Sequence, residues 1–368
     1  MSSTSCQEST TSASQQSSTS ASSTSETANS GQDQRDDDTE GDGTPSLSSS
    51  TSKPEYTPTD APAKVKKSKK VVEVPEKKKE KTPKKEKESP AKTELKPAFA
   101  SKPRSPRMLI LMRNGEQMDK VFPEWMTKNF VNKKYVSSDM NQPVSLPHRR
   151  DPLTTYRVDP PLTEMGLRTA DLIGKALFEQ GIVISSVYSS PSLRCIQTAH
   201  RLIKPQLYDL KIRVEPALYD FVGTTDTVLP TFMTLPELSA NSIPVDNSYR
   251  PIVPVSNLKN YVAESSNDFF KRSAEVGYNL VKFQSPSGTA LVITHACTMH
   301  AIGRGLTGFS TYQSSEEMKR VPLNYPFCSY MTLCPSSDGT WTQVPNATPA
   351  LTTSDYSNQF NHFFFSKP

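Results

Sequence analysis

The sequence contains no apolar run that approaches the ~20 residues needed to span a bilayer. No apolar stretch follows the initial Met-Ser-Ser-Thr, and position two is Ser2 rather than glycine. These absences predict a chain without a transmembrane helix, a signal peptide or an N-myristoyl anchor. Cysteine is scarce: Cys6, Cys195, Cys297, Cys328 and Cys334 are the only five, and no two show CxxC spacing. An odd, scattered set of thiols predicts reduced cysteines in an intracellular compartment, cytoplasmic rather than exported. There is no internal repeat.

Large apolar residues are almost missing from residues 1–60, about half of which are Ser or Thr. Residues 61–105 are dominated by Lys, Glu and Pro. Neither block can bury enough apolar surface to offset a backbone ordering cost of about 1–2 kcal/mol per residue. Both are therefore expected to form a disordered N-terminal arm, leaving residues 106–368 for one medium-sized domain. The net charge of +5 says little about that domain, because the charge blocks lie in the arm: an acidic knot from Asp36 to Asp42, then Lys runs over 64–70 and 77–87. The run Lys64–Lys70 reads as a solvated spacer, a nuclear-import signal or a contact for an anionic surface. The arm lacks interleaved aromatics, which counts against nucleic-acid recognition.

Order is expected to begin near Pro106. Met108-Leu-Ile-Leu-Met112 is a short continuous apolar run, as in a strand buried on both faces, and Arg113-Asn-Gly-Glu116 follows as a turn. Residues 119–160 read as a long irregular insertion with one short helix near Trp125. A helix over Thr163–Gln180 is capped by Thr163 and ended by Gly181. Further strands are expected at Ile182–Ser189, Ile212–Glu215, Thr289–Thr294 and Tyr330–Cys334. Helices are expected at Pro191–Leu202, with Pro191 near its first turn, and at Phe269–Phe283. Strands that are continuous apolar runs, alternating with helices, define an α/β fold with a mostly parallel sheet covered by helices on both faces.

In such sheets ligands bind at the carboxyl ends of the strands. That rule selects Arg113-Asn114, Ser190–Arg194, Glu215–Asp220 and His295. Arg194 falls in the first turn of its helix, where free backbone N–H groups already favour an anion. Guanidinium forks at Arg113 and Arg194 suit phosphate oxygens. A phosphate-like anion is the expected guest; no metal and no cofactor is called for.

These residues carry a family resemblance. Arg113-Asn-Gly-Glu116 resembles the Arg-His-Gly-Glu signature of the histidine phosphatases, the phosphoglycerate-mutase-like superfamily. Asp159-Pro-Pro-Leu-Thr-Glu-Met-Gly166, Ser189-Ser-Pro-Ser-Leu-Arg-Cys-Ile-Gln-Thr-Ala199 and Val292-Ile-Thr-His295 resemble its other motifs, in the same order. Within the superfamily, the stretches around Ser145-Leu-Pro-His-Arg149, Ser185–Cys195 and Ile212–Asp220 are similar to the phosphatase domain of the TULA-type ubiquitin-ligand tyrosine phosphatases and the ecdysteroid-phosphate phosphatases. The resemblance implies a phosphoglycerate-mutase-like fold. It also implies phosphate binding by Arg113, Arg194 and His295, and a proton donor at Asp220, with Glu215 as the nearby alternative.

Two departures stand out. The position of the nucleophilic histidine is Asn114, and a further arginine of the closer group is Gln117. A carboxamide nitrogen is neither base nor useful nucleophile, and losing a nucleophile typically costs on the order of a million-fold. The resemblance therefore implies a pseudophosphatase that binds a phosphorylated ligand or protein partner without turnover. Two alternatives stay open: a phosphomonoesterase with a non-standard nucleophile such as Cys297, or an interaction protein with a vestigial pocket that acts through its basic arm. The aromatic end Phe360-Asn-His-Phe-Phe-Phe365 is expected either to form a homodimer, as the resemblance implies, or to pack on its own domain.

Overall fold

The structure is a computed structural model that describes residues 107–368 apart from 207–208, 223–227, 285–286, 310–313 and 367–368. The arm blocks 1–60 and 61–105, with the Lys64–Lys70 run, lie outside the described residues. Six strands form the main sheet: β1 (Met108–Arg113), β2 (Ile184–Ser189), β3 (Ile212–Val214), β4 (Thr289–Thr294), β5 (Tyr330–Pro335) and β6 (Trp341–Val344). Their spatial order is β3-β2-β4-β1-β5-β6. The first four are mutually parallel, while β5 runs antiparallel to β1 and β6 antiparallel to β5.

Alternation along each central strand sends neighbouring side chains into two separate cores. Leu109 and Leu111 of β1, with Ala290 and Val292 of β4, pack into one. Ile110 and Met112, with Leu291 and Ile293, pack into the other. Helices α1 (Glu164–Glu179) and α2 (Leu193–Ile203) cover the second face through Ala170, Ile173, Leu177, Ile196, Ala199 and Leu202. Helices α3 (Ser266–Phe283) and α4 (Ala296–Leu306) cover the first through Phe269, Phe270, Val276, Met299 and Ile302. This is the expected α/β arrangement, with an antiparallel margin added by β5 and β6. Among the described residues no helix is long and apolar enough to cross a membrane.

The expected helix boundaries hold for α1: the Thr163 hydroxyl accepts from Gly166 N, and Gly181 follows at φ 74°. Helix α2 starts later than expected, so Pro191 precedes the cap residue Ser192 instead of occupying the first turn. The stretch 119–160 is not one irregular insertion. It contains short helices at Met118–Val121, Trp125–Lys128 and Pro152–Val158, and a hairpin pairing Phe130–Val131 with Lys134–Tyr135. Four-residue elements are too short to leave a periodic signature. At the C-terminal end, Phe360 and Phe365 are buried in this chain's own core, whereas Phe363 is 91% exposed. Packing on its own domain thus accounts for most of the aromatic segment.

Helices α1 and α2 approach closely where Gly174 faces Leu202: a methyl group at 174 would stand 2.6 Å from the Leu202 carbonyl oxygen. Gly174→Ala would normally favour a helix interior by about 1 kcal/mol, but the clash outweighs that gain. We expect a net loss of about 1–3 kcal/mol, read as a lower urea midpoint at unchanged slope; a raised midpoint would contradict the close contact.

Candidate functional site

The turn after β1 is shaped by two close approaches. A methyl group at Gly166 would lie 2.3 Å from Glu116 O, and one at Gly115 would lie 3.0 Å from Gly166 O. Glu116 ties the same segments together, its carboxylate accepting from the Thr163 hydroxyl at 2.6 Å and from Asn141 Nδ2 at 2.9 Å. Thr163 N also donates to Glu116 O at 3.0 Å. The first and second sequence motifs are therefore one packed unit, which sets Arg113 and Asn114 at the end of β1.

Asn114 is buried, and its backbone N–H donates to Thr294 O at 2.9 Å, next to His295. Its side-chain Nδ2 donates to Gly115 O at 2.8 Å and to Gln117 Oε1 at 3.3 Å. Gln117 in turn donates to Asp119 Oδ2 at 3.4 Å, so the two amides form a neutral chain along the turn. Arg113 lies with its guanidinium 4.2 Å from the Phe327 ring centroid and donates to the carbonyls of Pro322 (2.8 Å) and Tyr325. Burial lowers its pKa, while Asp220 and Cys297 act in the opposite sense.

The second cluster forms where β2, β3 and β4 end. Arg194 is the second residue of α2 and its guanidinium donates to His295 Nδ1 at 3.1 Å. An arginine is always a donor, so Nδ1 is the acceptor and the imidazole proton sits on Nε2. Nε2 then donates to Ser190 Oγ at 2.8 Å. Burial pushes His295 well below its ordinary pKa, and Arg194, Arg113 and Arg272 add to the effect. Asp220 Oδ2 lies 3.7 Å from His295 Nδ1. Burial raises the Asp220 pKa, opposed by Arg194, a hydrogen bond from Phe221 N, Arg113 and Arg272. Tyr219 stacks edge-on against His295 at 5.6 Å.

All four strand ends picked out in the sequence thus meet on one side of the sheet. Glu215, the alternative acid, does not reach the pocket: fully buried, it accepts from Ala217 N, the Tyr249 hydroxyl, Ile252 N and Val253 N. Cys297 turns its thiol toward Met318 O at 3.9 Å. Among the described residues no group of three or more His, Cys, Asp or Glu converges to hold a metal ion.

Two supporting ion pairs lie outside the residues that the sequence singles out. Asp159, with no exposed surface, accepts from Leu193 N at 2.9 Å and pairs with Arg149 at 3.2 Å, fixing the start of α2. Burial raises the Asp159 pKa, and Arg149 and Arg194 oppose it. Arg272 pairs twice with Glu264 at 2.7 Å and donates to the carbonyls of Ala217, Tyr219 and Asp220, fixing the backbone at Asp220. Signals for both exist in the chain: Arg149 and Asp159 sit inside recognisable motifs, and Arg272 interrupts the apolar face of α3.

Two arginines, a histidine and a carboxylic acid thus gather at the strand ends of an α/β sheet. The chain belongs to the histidine phosphatase superfamily (branch 1), which matches residues 148–347, more than half of its length. That match begins after Arg113-Asn114. Among curated proteins, it is 37% identical over 230 residues to mouse (Mus musculus) ubiquitin-associated and SH3 domain-containing protein B, covering 61% of this chain and 36% of that protein. It is 34% identical over 241 residues to the ecdysteroid-phosphate phosphatase of Drosophila melanogaster, covering 65% of this chain and 32% of that protein. The chain therefore spans about a third of the length of these relatives. Among solved structures it resembles the ecdysone phosphate phosphatase of Bombyx mori in complex with tungstate, at a TM-score of 0.60 and 29% identity, covering 69% of this chain and 98% of that one.

Because folded His295 resists a proton that unfolded histidine accepts near pH 6.5, its contribution to stability is present above that value and is lost as pH falls through it. Between pH 7.5 and 5.5 the loss should reach up to about 1.4 kcal/mol. Urea denaturation of the protein and of His295→Gln at both pH values checks this; an equal pH dependence for the two would mean that His295 titrates normally.

Proposed function

We propose that this chain is a pseudophosphatase: it binds a phosphate-bearing ligand, presented by a protein partner or a small molecule, and does not cleave it. The observation that carries the reading is Asn114 at the end of β1, where the superfamily resemblance places the attacking histidine. Its carboxamide nitrogen has no available lone pair, and both of its protons are spent on Gly115 O and Gln117 Oε1. Without a phosphohistidine, the two-step transfer has no first step. A raised Asp220 pKa favours proton donation to a leaving oxygen, but no attack precedes its use.

Binding needs less than turnover, and the groups for binding remain. Arg194 stands in the first turn of the eleven-residue α2, where the helix dipole adds to its charge. Arg113 keeps donors beyond the one directed at Pro322 and Tyr325. His295 offers a neutral ring with its proton on Nε2. The Bombyx mori relative holds tungstate, an oxyanion of phosphate-like shape, which supports an anion as the guest.

Substitute nucleophiles are disfavoured by their environment. Burial pushes the Cys195 thiol up to about 12 and Cys328 likewise to about 12. Burial and Asp220 raise Cys297 well above its ordinary value. A thiol with a pKa near 12 is ionised in roughly one molecule in 10⁵ at neutral pH, and the thiolate is the nucleophile. Cys195, Cys297 and Cys328, buried and outside any disulfide, fit the reducing, intracellular setting expected of the chain.

The test is a paired assay on the full chain: hydrolysis of an aryl phosphate, and calorimetric titration with phosphate and a phosphotyrosine peptide. The protein should bind without turnover, and Asn114→His combined with Gln117→Arg should raise hydrolysis by roughly three or more orders of magnitude. Useful turnover by the unaltered protein would overturn the proposal. A lack of both binding and rescue would move the function away from this pocket.

A further inference from the structure

A second cleft lies on the α3 side of the sheet, against the edge strand β3, and shares no lining residue with the anion site. Its volume is about 410 Å³, within the range of small-molecule sites. Tyr188 of β2 and Tyr249 form its aromatic walls, with ring centroids 5.8 Å apart at 70°. Leu280 of α3 lines its interior, and Phe283, 72% exposed, stands at the rim.

Two arginines face this apolar space, and their states differ. Arg213 is already matched: it pairs with Asp246 at 3.2 Å, donates to the Tyr188 hydroxyl at 3.0 Å and lies 5.4 Å and 5.9 Å from the two tyrosine ring centroids. Arg250 is exposed and has no acidic partner among the described residues. The cleft therefore carries one uncompensated positive charge beside three aromatic rings. Tyr249 is held in place by its hydroxyl, which donates to the buried carboxylate of Glu215 at 2.7 Å. A wall fixed in advance does not have to be ordered when a ligand arrives.

We infer that this cleft is a ligand site for a planar aromatic molecule bearing a single negative charge, whose ring packs against Tyr249 and Phe283 while its anion meets Arg250; Tyr188, 3% exposed, backs Tyr249 from the core. Edge-to-face and offset contacts with Tyr249 and Phe283 favour a flat ring over an aliphatic chain, and a guanidinium pairs with a carboxylate through a two-point fork. A neutral ring of the same shape keeps the packing and loses the fork.

The experiment uses the full chain with naphthoate as probe and naphthamide as its neutral counterpart, followed by ligand-observed NMR and calorimetry. Naphthoate should bind with a Kd on the order of 1 mM or tighter. Naphthamide should bind about tenfold more weakly or worse, and Arg250→Ala should weaken naphthoate by a similar factor. Phe283→Ala, at an exposed position that carries little of the fold, should weaken both probes. Saturating inorganic phosphate should leave naphthoate binding unchanged, which separates this site from the anion pocket whatever the outcome there. No measurable binding, binding indifferent to Arg250→Ala and Phe283→Ala, or displacement by phosphate would each overturn the inference.

Discussion

The start of α2 depends on a carboxylate that water never reaches. Asp159 accepts from the first backbone N–H of that helix and is countered by Arg149, which also donates to Thr231 O. Helix α2 supplies Arg194, Arg194 fixes the tautomer of His295, and His295 orients the serine hydroxyl beside it. A buried pair of this kind contributes little net stability, since desolvation offsets the attraction, yet loss of one partner leaves a buried charge and costs about 3–5 kcal/mol. Its effect is on geometry: without Asp159 the first turn of α2 has an unpaired N–H and Arg194 has no fixed base.

The opposite wall of the site is held by the same device. Glu264 and Arg272 form a buried two-point pair, and the remaining guanidinium protons bind three carbonyls around Asp220. The anion pocket thus lies between two buried ion pairs, each supporting a residue of opposite polarity, Arg194 on one side and Asp220 on the other. The turn carrying Asn114 has no such buried ion pair among the described residues. It rests on glycine packing, on the Glu116 carboxylate that accepts from Thr163 and Asn141, and on a chain from the Asn114 and Gln117 amides to the Asp119 carboxylate. The substitution at 114 therefore sits within a site whose surrounding supports are complete.

Much of this organisation is legible in the sequence because central strands that are apolar on both faces leave unbroken runs such as Met108–Met112 and Thr289–Thr294. The carboxyl ends of such runs point to Arg113, Arg194 and His295 from sequence position alone. The same rule selects the stretch Glu215–Asp220, but only family resemblance singles out Asp220 within it, since β3 is just three residues long. Arg149 and Asp159 fall inside motif stretches, but their pairing is hidden for a physical reason: both lie in irregular chain, where no periodicity indicates which side chain turns inward. Arg272 is more accessible, being a charge at a helix position that the pattern of Phe269, Phe270 and Val276 assigns to the core. The elements between 119 and 160, and the four-residue β6, are too short for spacing to reveal them.

The position of β1 in the sheet has a consequence for the growing chain. This strand leaves the ribosome ahead of the rest of the sheet, yet its two neighbours are residues 289–294 and 330–333. At ordinary synthesis rates those partners emerge roughly ten to forty seconds later. For that interval Met108-Leu-Ile-Leu-Met112 has two bare hydrogen-bonding edges and two apolar faces, the features that make a nascent segment adhesive. The strand that anchors the finished domain is thus its most exposed liability during birth, and long-range closure of β1 onto β4 sets when the chain becomes safe from its neighbours.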